Sequence, residues 1–505
     1  MGQGRKSLGS EGRLIAALAR RFESPGPALL ALALWLLATA GWRPLMLPDE
    51  GRYAEVAREM LLGDGWVPTL NGLPFFHKPP LMYWIDMAAL SAFGVHPFAA
   101  RVAPLLGAWL MGASLWFAVR RRSGARRAGL ALVLLGTTPF FFIGAQFANH
   151  DMLVAGLISA AVLAFMRALD ERPAALRWIV AGWTACALAL LTKGLIGFVL
   201  PALVIAPWLL VHGRWRELLR LLHPLGLLAF ACIGLPWFVL MQLRFPGFFD
   251  YFILDQHVRR FAAGGFNNVQ PFWFYLAVLP ALTLPWSLWL PALWRHLRAA
   301  RERDPHAVFL AWWVVVVVGF FSLPSSKLIG YVLPALVPWC ALLAQATGES
   351  SVRRWRVALS LAVLACVGSV AMLAWQPPKS HREAGRALAS LIAPGDRVVM
   401  VDLYYYDLPF EARLREPVWV ASNWDDPDIA RRDNWRKELH DAARFAPESA
   451  RARLWPLAQL PALACGPAAW WLVTAAAAPA PLAGAQAMFE DRHTRLWRMP
   501  ARPCS

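Results

Sequence analysis

Charge is what this chain has least of. Only 16% of its 505 residues are Asp, Glu, Lys or Arg, against about 25% in ordinary soluble domains. Acidic residues are the scarcer sign, 32 beside 50 basic ones, and there are only six cysteines and 8 tyrosines. Zinc-finger spacing, a P-loop and a Rossmann glycine fingerprint are all missing, which removes the nucleotide and zinc-finger classes that those motifs announce. A formal charge of +18 would suggest nucleic acid in a soluble protein. Its distribution argues otherwise. Residues 376–505 hold 17 Lys+Arg and 15 Asp+Glu. Nearly all the excess therefore lies among hydrophobic segments, where it sets topology and attracts anionic lipid. No nucleic-acid partner is expected.

What fills the chain is hydrophobic, 58% of it, with 27 tryptophans and 28 phenylalanines suited to lipid-facing and interfacial surfaces. Runs of about 20 residues span a bilayer. Eleven such runs fall at 27–47, 97–119, 128–145, 151–169, 178–192, 194–211, 221–241, 271–294, 307–324, 328–347 and 357–375. The expected fold class is an all-α polytopic membrane bundle of about 11–13 transmembrane helices, with a small α/β C-terminal extracytoplasmic domain.

Basic clusters at 5–21, 120–127, 167–177, 214–220, 295–303 and 353–356 together hold 23 Lys/Arg, and the alternate loops hold far fewer. Cytoplasmic loops carry the Lys/Arg excess. Residues 1–26 are thus expected inside a bacterial inner membrane, 27–375 form the membrane domain with outer loops 48–96 and 242–270, and 376–505 lie in the periplasm. The first run reaches spanning length and continues through Trp42-Arg43, which favours an uncleaved anchor over a signal peptide.

In the first outer loop Tyr53, Val56, Ala57, Met60 and Leu61 form a helical stripe opposite Arg52, Glu55, Arg58 and Glu59, the pattern of a helix lying on the membrane surface. After Pro377, VVMVDL, VWVA, WLVT and AMFEDRHTRLWRM read as strands beside a helical stretch at 428–446. Cys186, Cys232, Cys340 and Cys366 fall in spans. Cys465 and Cys504 fall in the outer domain, where they are expected to pair.

Ionisable residues at a membrane face are candidates for function. On the outer side these are Asp49-Glu50, His77-Lys78 between Phe76 and Pro79-Pro80, Asp151 at the start of the fourth span, and Lys193 in the break between two spans. Asp255, His257, Arg259 and Arg260 lie in the second loop, and Lys327 and Tyr331 open the tenth span. Singly, each aspartate reads equally well as a helix N-cap and each lysine as a snorkelling side chain. Together, carboxylates and cations over a bilayer suit transfer from a lipid-linked phosphate. Cations hold the phosphate as charge grows on the leaving oxygen, and a carboxylate accepts the proton of an attacking hydroxyl.

The stretch PDEGRYAEVAREML followed by NGLPFFHKPPLMYW resembles the first outer loop of the membrane glycosyltransferases that include the lipid A aminoarabinose transferase and the protein O-mannosyltransferases. The likeness continues through FANHDMLVAG, LLTKGLIGFVLPAL, LPWFVLMQLRFPGFFDYFILDQHVRRF and FFSLPSSKLIGYVLPALVP, covering roughly residues 27–345. The resemblance implies a GT-C fold and inverting transfer from a polyprenyl-monophosphate sugar to a lipid A-like or other glycan acceptor. It implies Asp49 and Asp151 as catalytic carboxylates, and Lys78, Arg52, Arg260 and Tyr331 around the donor phosphate and carrier lipid. In the aminoarabinose branch the His77 and His257 positions can hold a divalent metal such as zinc. His77 replaces the acidic residue usual at its position, which puts that site in doubt. A transporter or lipid flippase is the competing class, and it expects charges at the bilayer midplane and paired broken helices. Cysteine-accessibility labelling should find 120–127 and 295–306 inside and 376–505 outside; labelling of the tail from the cytoplasm would overturn the orientation.

Overall fold

The structure, a computed structural model, describes residues 22–171, 175–259 (side chains to 254), 268–300, 304–346, 351–377, 379–463 and 466–501. Cys465 and Cys504 therefore lie outside the described residues, as do Arg260 and the side chain of His257.

Each of the eleven hydrophobic runs contains helix. Among the described residues seven helices are long and apolar enough to cross a bilayer, and two bent pairs raise this to nine. The remaining two runs hold the shorter apolar helices Pro25–Leu37 and Ile196–Val211. The first bend has a local cause. Pro139 occupies the first helical turn after the break at 137–138, where a missing N–H costs nothing. The break expected at Thr192-Lys193-Gly194 is a helix end: Ala175–Lys193 stops where Gly194 takes φ +84°, a left-handed conformation that glycine adopts without strain. Lys193 is consequently a terminal residue at the bundle's end. The spans Ala99–Ser123 and His150–Asp170 pack glycine to glycine, since a Cβ on Gly156 would collide with the Gly107 carbonyl oxygen.

The segment expected as the first outer loop is a helix, Asp49–Leu62, then a hairpin of β1 (Thr69–Leu70) and β2 (Leu73–Pro74), then an apolar helix, Leu81–Phe93. The expected stripe is buried at Tyr53, Val56, Ala57 and Met60 and half-buried at Leu61. The polar face is also covered: Arg58 pairs with Glu55 and donates to the Leu414 carbonyl, and both side chains are buried. This helix does not lie open on the membrane surface, because the C-terminal domain packs on it.

That domain holds β3 (Arg397–Val401), β4 (Trp419–Ser422), β5 (Leu454–Pro456), β6 (Trp470–Ala475), β7 (Gln486–Glu490) and β8 (Thr494–Met499) in the order β5-β4-β3-β6-β8-β7. The first four in that order are parallel, and β8 and β7 add antiparallel edges. The helix expected at 428–446 is Trp435–Ala443, capped by Asn434. Asn71 sews the hairpin to this domain, donating to the Val418 carbonyl at 3.0 Å and accepting from the Val418 N–H at 2.9 Å.

One buried carboxylate ties these pieces together. Glu50 is fully buried and accepts from Arg43, from Arg101 Nε at 3.0 Å, and from the N–H groups of Met46 and Ala148 at 2.9 Å each. Arg101 also holds the carbonyls of Ala40 at 2.7 Å and Pro44 at 2.8 Å, and Arg43 holds that of Gln146 at 2.6 Å. Burial alone would raise the Glu50 pKa, but Arg101 and Arg43 outweigh it and hold it down at about 2, against an ordinary 4.5. A folded value below the unfolded one stabilises at neutral pH. That stability is complete above about pH 4.5 and is lost as pH falls toward 2. Glu50→Gln strands two buried guanidinium groups and should cost about 3–5 kcal/mol, read as a lower melting temperature in nanodiscs at pH 7. A wild-type melting temperature would contradict this role.

Candidate active site

Asp49 and Glu50 are neighbours on the first turn of Asp49–Leu62, so they point about 100° apart. Glu50 faces the arginine cluster, while Asp49 keeps its side chain about one-third exposed. Neither aspartate of the expected pair caps its helix. The capping residue before Asp49 is Pro48. Before His150–Asp170 it is Asn149, whose side chain accepts from the Asp151 N–H at 3.0 Å.

Asp49 is instead held by Arg52, whose guanidinium also pairs with Glu438 of the helix Trp435–Ala443. Tyr406 donates to the other Glu438 oxygen at 2.7 Å, and the Arg52 guanidinium lies 5.0 Å from the Tyr53 ring and 5.6 Å from that of Tyr406. Burial opposes the Arg52 charge, but Glu438 and Asp49 outweigh burial and keep the guanidinium well above its ordinary range. Arg52 is thus fixed as a cation between two carboxylates from distant parts of the chain.

Asp151 is buried and pairs with Lys193. Lys193 Nζ stands 4.4 Å from the centre of the Tyr331 ring. Gly330 abuts Asp151, since a Cβ there would collide with Oδ2. Lys327 donates from Nζ to the Gln270 carbonyl at 3.0 Å, and to Pro324. Tyr275 donates to Leu328 at 2.8 Å and braces the same segment.

His150, adjacent to Asp151 in the chain, is buried with its ring edge-on to Tyr53 at 4.6 Å and to Tyr83 at 5.2 Å between centroids. Lys78, Lys193 and Arg52 all lie close enough to act on this imidazole electrostatically. Lys78 is half-buried. His77 beside it packs on Phe75 at 4.3 Å and faces Tyr251 at 6.1 Å, lining a small crevice with Glu438 and Phe445.

Asp49, Arg52, Lys78, Asp151 and Tyr331 therefore gather at one end of the bundle, beneath the C-terminal domain. A metal between His77 and His257 would depend on a side chain outside the described residues. Among the described residues no group of three His, Cys, Asp or Glu side chains forms at His77 or elsewhere. Sequence reasoning named Lys193 without a role and missed Glu438, Tyr406 and His150. Only the NHD order before the fourth span hinted at His150. Nothing local marks Glu438, which reaches the site from 386 residues away in sequence.

Comparison with known proteins gives the chain its relatives. The family described as Dolichyl-phosphate-mannose-protein mannosyltransferase matches residues 77–239. An undecaprenyl phosphate-alpha-4-amino-4-deoxy-L-arabinose arabinosyl transferase of Aeromonas hydrophila is 34% identical over 396 residues, 76% of this chain and 70% of the relative. One of Pseudomonas aeruginosa is 36% identical over 342 residues, 66% of this chain; the match spans about three-fifths (61%) of that relative's length. The crystal structure of ArnT from Cupriavidus metallidurans bound to undecaprenyl phosphate superposes with a TM-score of 0.81 at 26% identity, covering 97% of this chain and 98% of that one. The archaeal oligosaccharyltransferase AglB from Archaeoglobus fulgidus, at 13% identity and TM-score 0.50, shares the fold alone. With a multispan bundle, a helix carrying DEGR after the first apolar helix and a 34%-identical relative matched over most of its length, this multi-pass inner-membrane chain belongs to the GT-C family of undecaprenyl-phosphate aminoarabinose transferases.

Proposed function

We propose that the protein moves a sugar from a polyprenyl-monophosphate donor to an envelope acceptor at the periplasmic face, with inversion at the anomeric carbon. The observation that carries this reading is the gathering of Asp49–Arg52–Glu438 and Asp151–Lys193–Tyr331 at one end of the membrane bundle. A transporter would want such charges at the midplane. The relatives' names supply the donor we infer, undecaprenyl phosphate carrying 4-amino-4-deoxy-L-arabinose. The acceptor class is a lipid A-like glycolipid or another envelope glycan. The basic loops orient the chain, with the N-terminus cytoplasmic and residues 376–505 periplasmic.

In this mechanism the acceptor oxygen attacks the anomeric carbon from the side opposite the phosphate. The bond from that carbon to the phosphate oxygen breaks, and its electron pair leaves with the polyprenyl phosphate. Lys78 and Arg260 take up the charge that grows on the leaving oxygen, a contribution made mainly in the transition state. Asp49, held by Arg52, takes the proton of an attacking hydroxyl. An acceptor phosphate is already ionised, needs no base, and would be oriented by the same group. Asp151 fixes Lys193 over Tyr331, on the side of the site that would receive the carrier lipid.

Lys78→Ala should lower transfer about 10²–10³-fold. Asp49→Asn keeps the side chain's shape while removing its charge and its capacity to take a proton. It should yield a protein with wild-type expression and melting temperature but little turnover. The assay is transfer from the undecaprenyl-phosphate sugar by purified protein, and near-normal turnover by Asp49→Asn would remove Asp49 from the active site and leave Asp151 as the remaining carboxylate.

A further inference from the structure

Four polar atoms on three side chains beside the two aspartates have no hydrogen-bond partner among the described residues: Nδ1 and Nε2 of His150, the Tyr83 hydroxyl and Nε of Arg52. All four atoms are buried, although the Arg52 side chain as a whole is 13% exposed, against 2% for His150 and 0% for Tyr83. The three side chains come from separate elements: the start of a span, the helix Leu81–Phe93 and the helix Asp49–Leu62. They converge on one ring, Tyr53, which lies 4.6 Å from His150, 6.2 Å from Tyr83 and 5.0 Å from the Arg52 guanidinium. Folded proteins leave few buried polar atoms unpaired, because each costs about 1–3 kcal/mol. Four in one place, next to the groups assigned to the donor, mark a position that a polar ligand completes.

The chemistry of the four atoms selects among ligands. A phosphate only accepts hydrogen bonds and is matched by ammonium and guanidinium groups such as Lys78. A neutral imidazole offers one donor and one acceptor, and a phenol offers both on one oxygen. Sugar hydroxyls also donate and accept, so they can pair with all of these. Tyr53 adds an aromatic wall. We propose that His150 and Tyr83, with Nε of Arg52, form the subsite that holds the sugar ring of the donor, while the phosphate lies toward Lys78. This rests on the donor reading above and adds to it which side chains distinguish a sugar-bearing polyprenyl phosphate from a bare one.

The test compares two probes on the full-length protein in nanodiscs: undecaprenyl phosphate alone, and the same lipid carrying 4-amino-4-deoxy-L-arabinose. Tyr83→Phe removes one oxygen and leaves the ring packing, so it folds, and loss of a stranded hydroxyl makes the ligand-free protein no less stable. Tyr83→Phe and His150→Leu should each weaken the sugar-linked probe about 5–10-fold and leave the bare lipid unchanged. His150→Gln, which keeps a donor and an acceptor, should recover most of the loss. Equal weakening of both probes, or none in either variant, overturns the subsite, and Tyr83→Phe decides the matter even where His150→Leu fails to fold. Wild-type protein that binds the bare lipid but gains nothing from the sugar overturns the subsite alone. Wild-type protein that binds neither probe overturns the donor reading itself.

Discussion

The site depends on a carboxylate that does no chemistry. Glu50 sits in a protein interior where an ionised group is costly unless it is paired and fully hydrogen-bonded. Two arginines and two backbone N–H groups satisfy it. Those partners come from the end of the first span, the start of the second and the loop before the fourth, so one interaction fixes three approaches to the active end. Its neighbour Asp49 is carried by the same helical turn. Asp151 begins only three residues after Ala148, whose N–H Glu50 accepts. Both candidate carboxylates are therefore placed relative to one structural carboxylate.

The second constraint comes from outside the membrane. Glu438 and Tyr406 belong to the C-terminal domain, yet they close around Arg52 and through it hold Asp49. Arg58 and Asn71 anchor the same domain to the 48–96 loop through Leu414 and Val418. This domain is part of the site's wall. Its parallel strands β3 and β4 deliver, beyond their carboxyl ends, the segment with Tyr406 and the helix with Glu438, the usual place for functional groups in such sheets. The flippase alternative gains no support, because the ionic pairs that line the site cluster at span ends and at the domain contact.

Much of the membrane architecture was legible because a bilayer imposes length and apolarity on every span. All eleven runs contain helix, and the glycine after Lys193 marked a real helix end. The candidate residues Asp49, Lys78 and Asp151 were legible because charge near a membrane is rare enough to be noticed, while Tyr331 was named through the family resemblance. Partners were harder to see. Arg43, Glu50 and Arg101 satisfy one another across 58 residues of sequence, and nothing local distinguishes such a cluster from topogenic arginines or a helix cap. Glu438 lies in a domain of ordinary composition where one more glutamate carries no signal. His150 reads as a polar residue at a span end until its burial between two tyrosines is known. Strand β5, only three residues long, fell below what period-two alternation can mark.

The central claim is that a sugar leaves a polyprenyl phosphate at this site. Mass spectrometry of envelope lipids from a strain lacking the protein tests it most directly. The account predicts that one sugar-bearing envelope species disappears while its polyprenyl-phosphate sugar accumulates, and that both revert when the wild-type chain is restored. An unchanged set of envelope glycolipids and glycans together with an unchanged donor pool would contradict it.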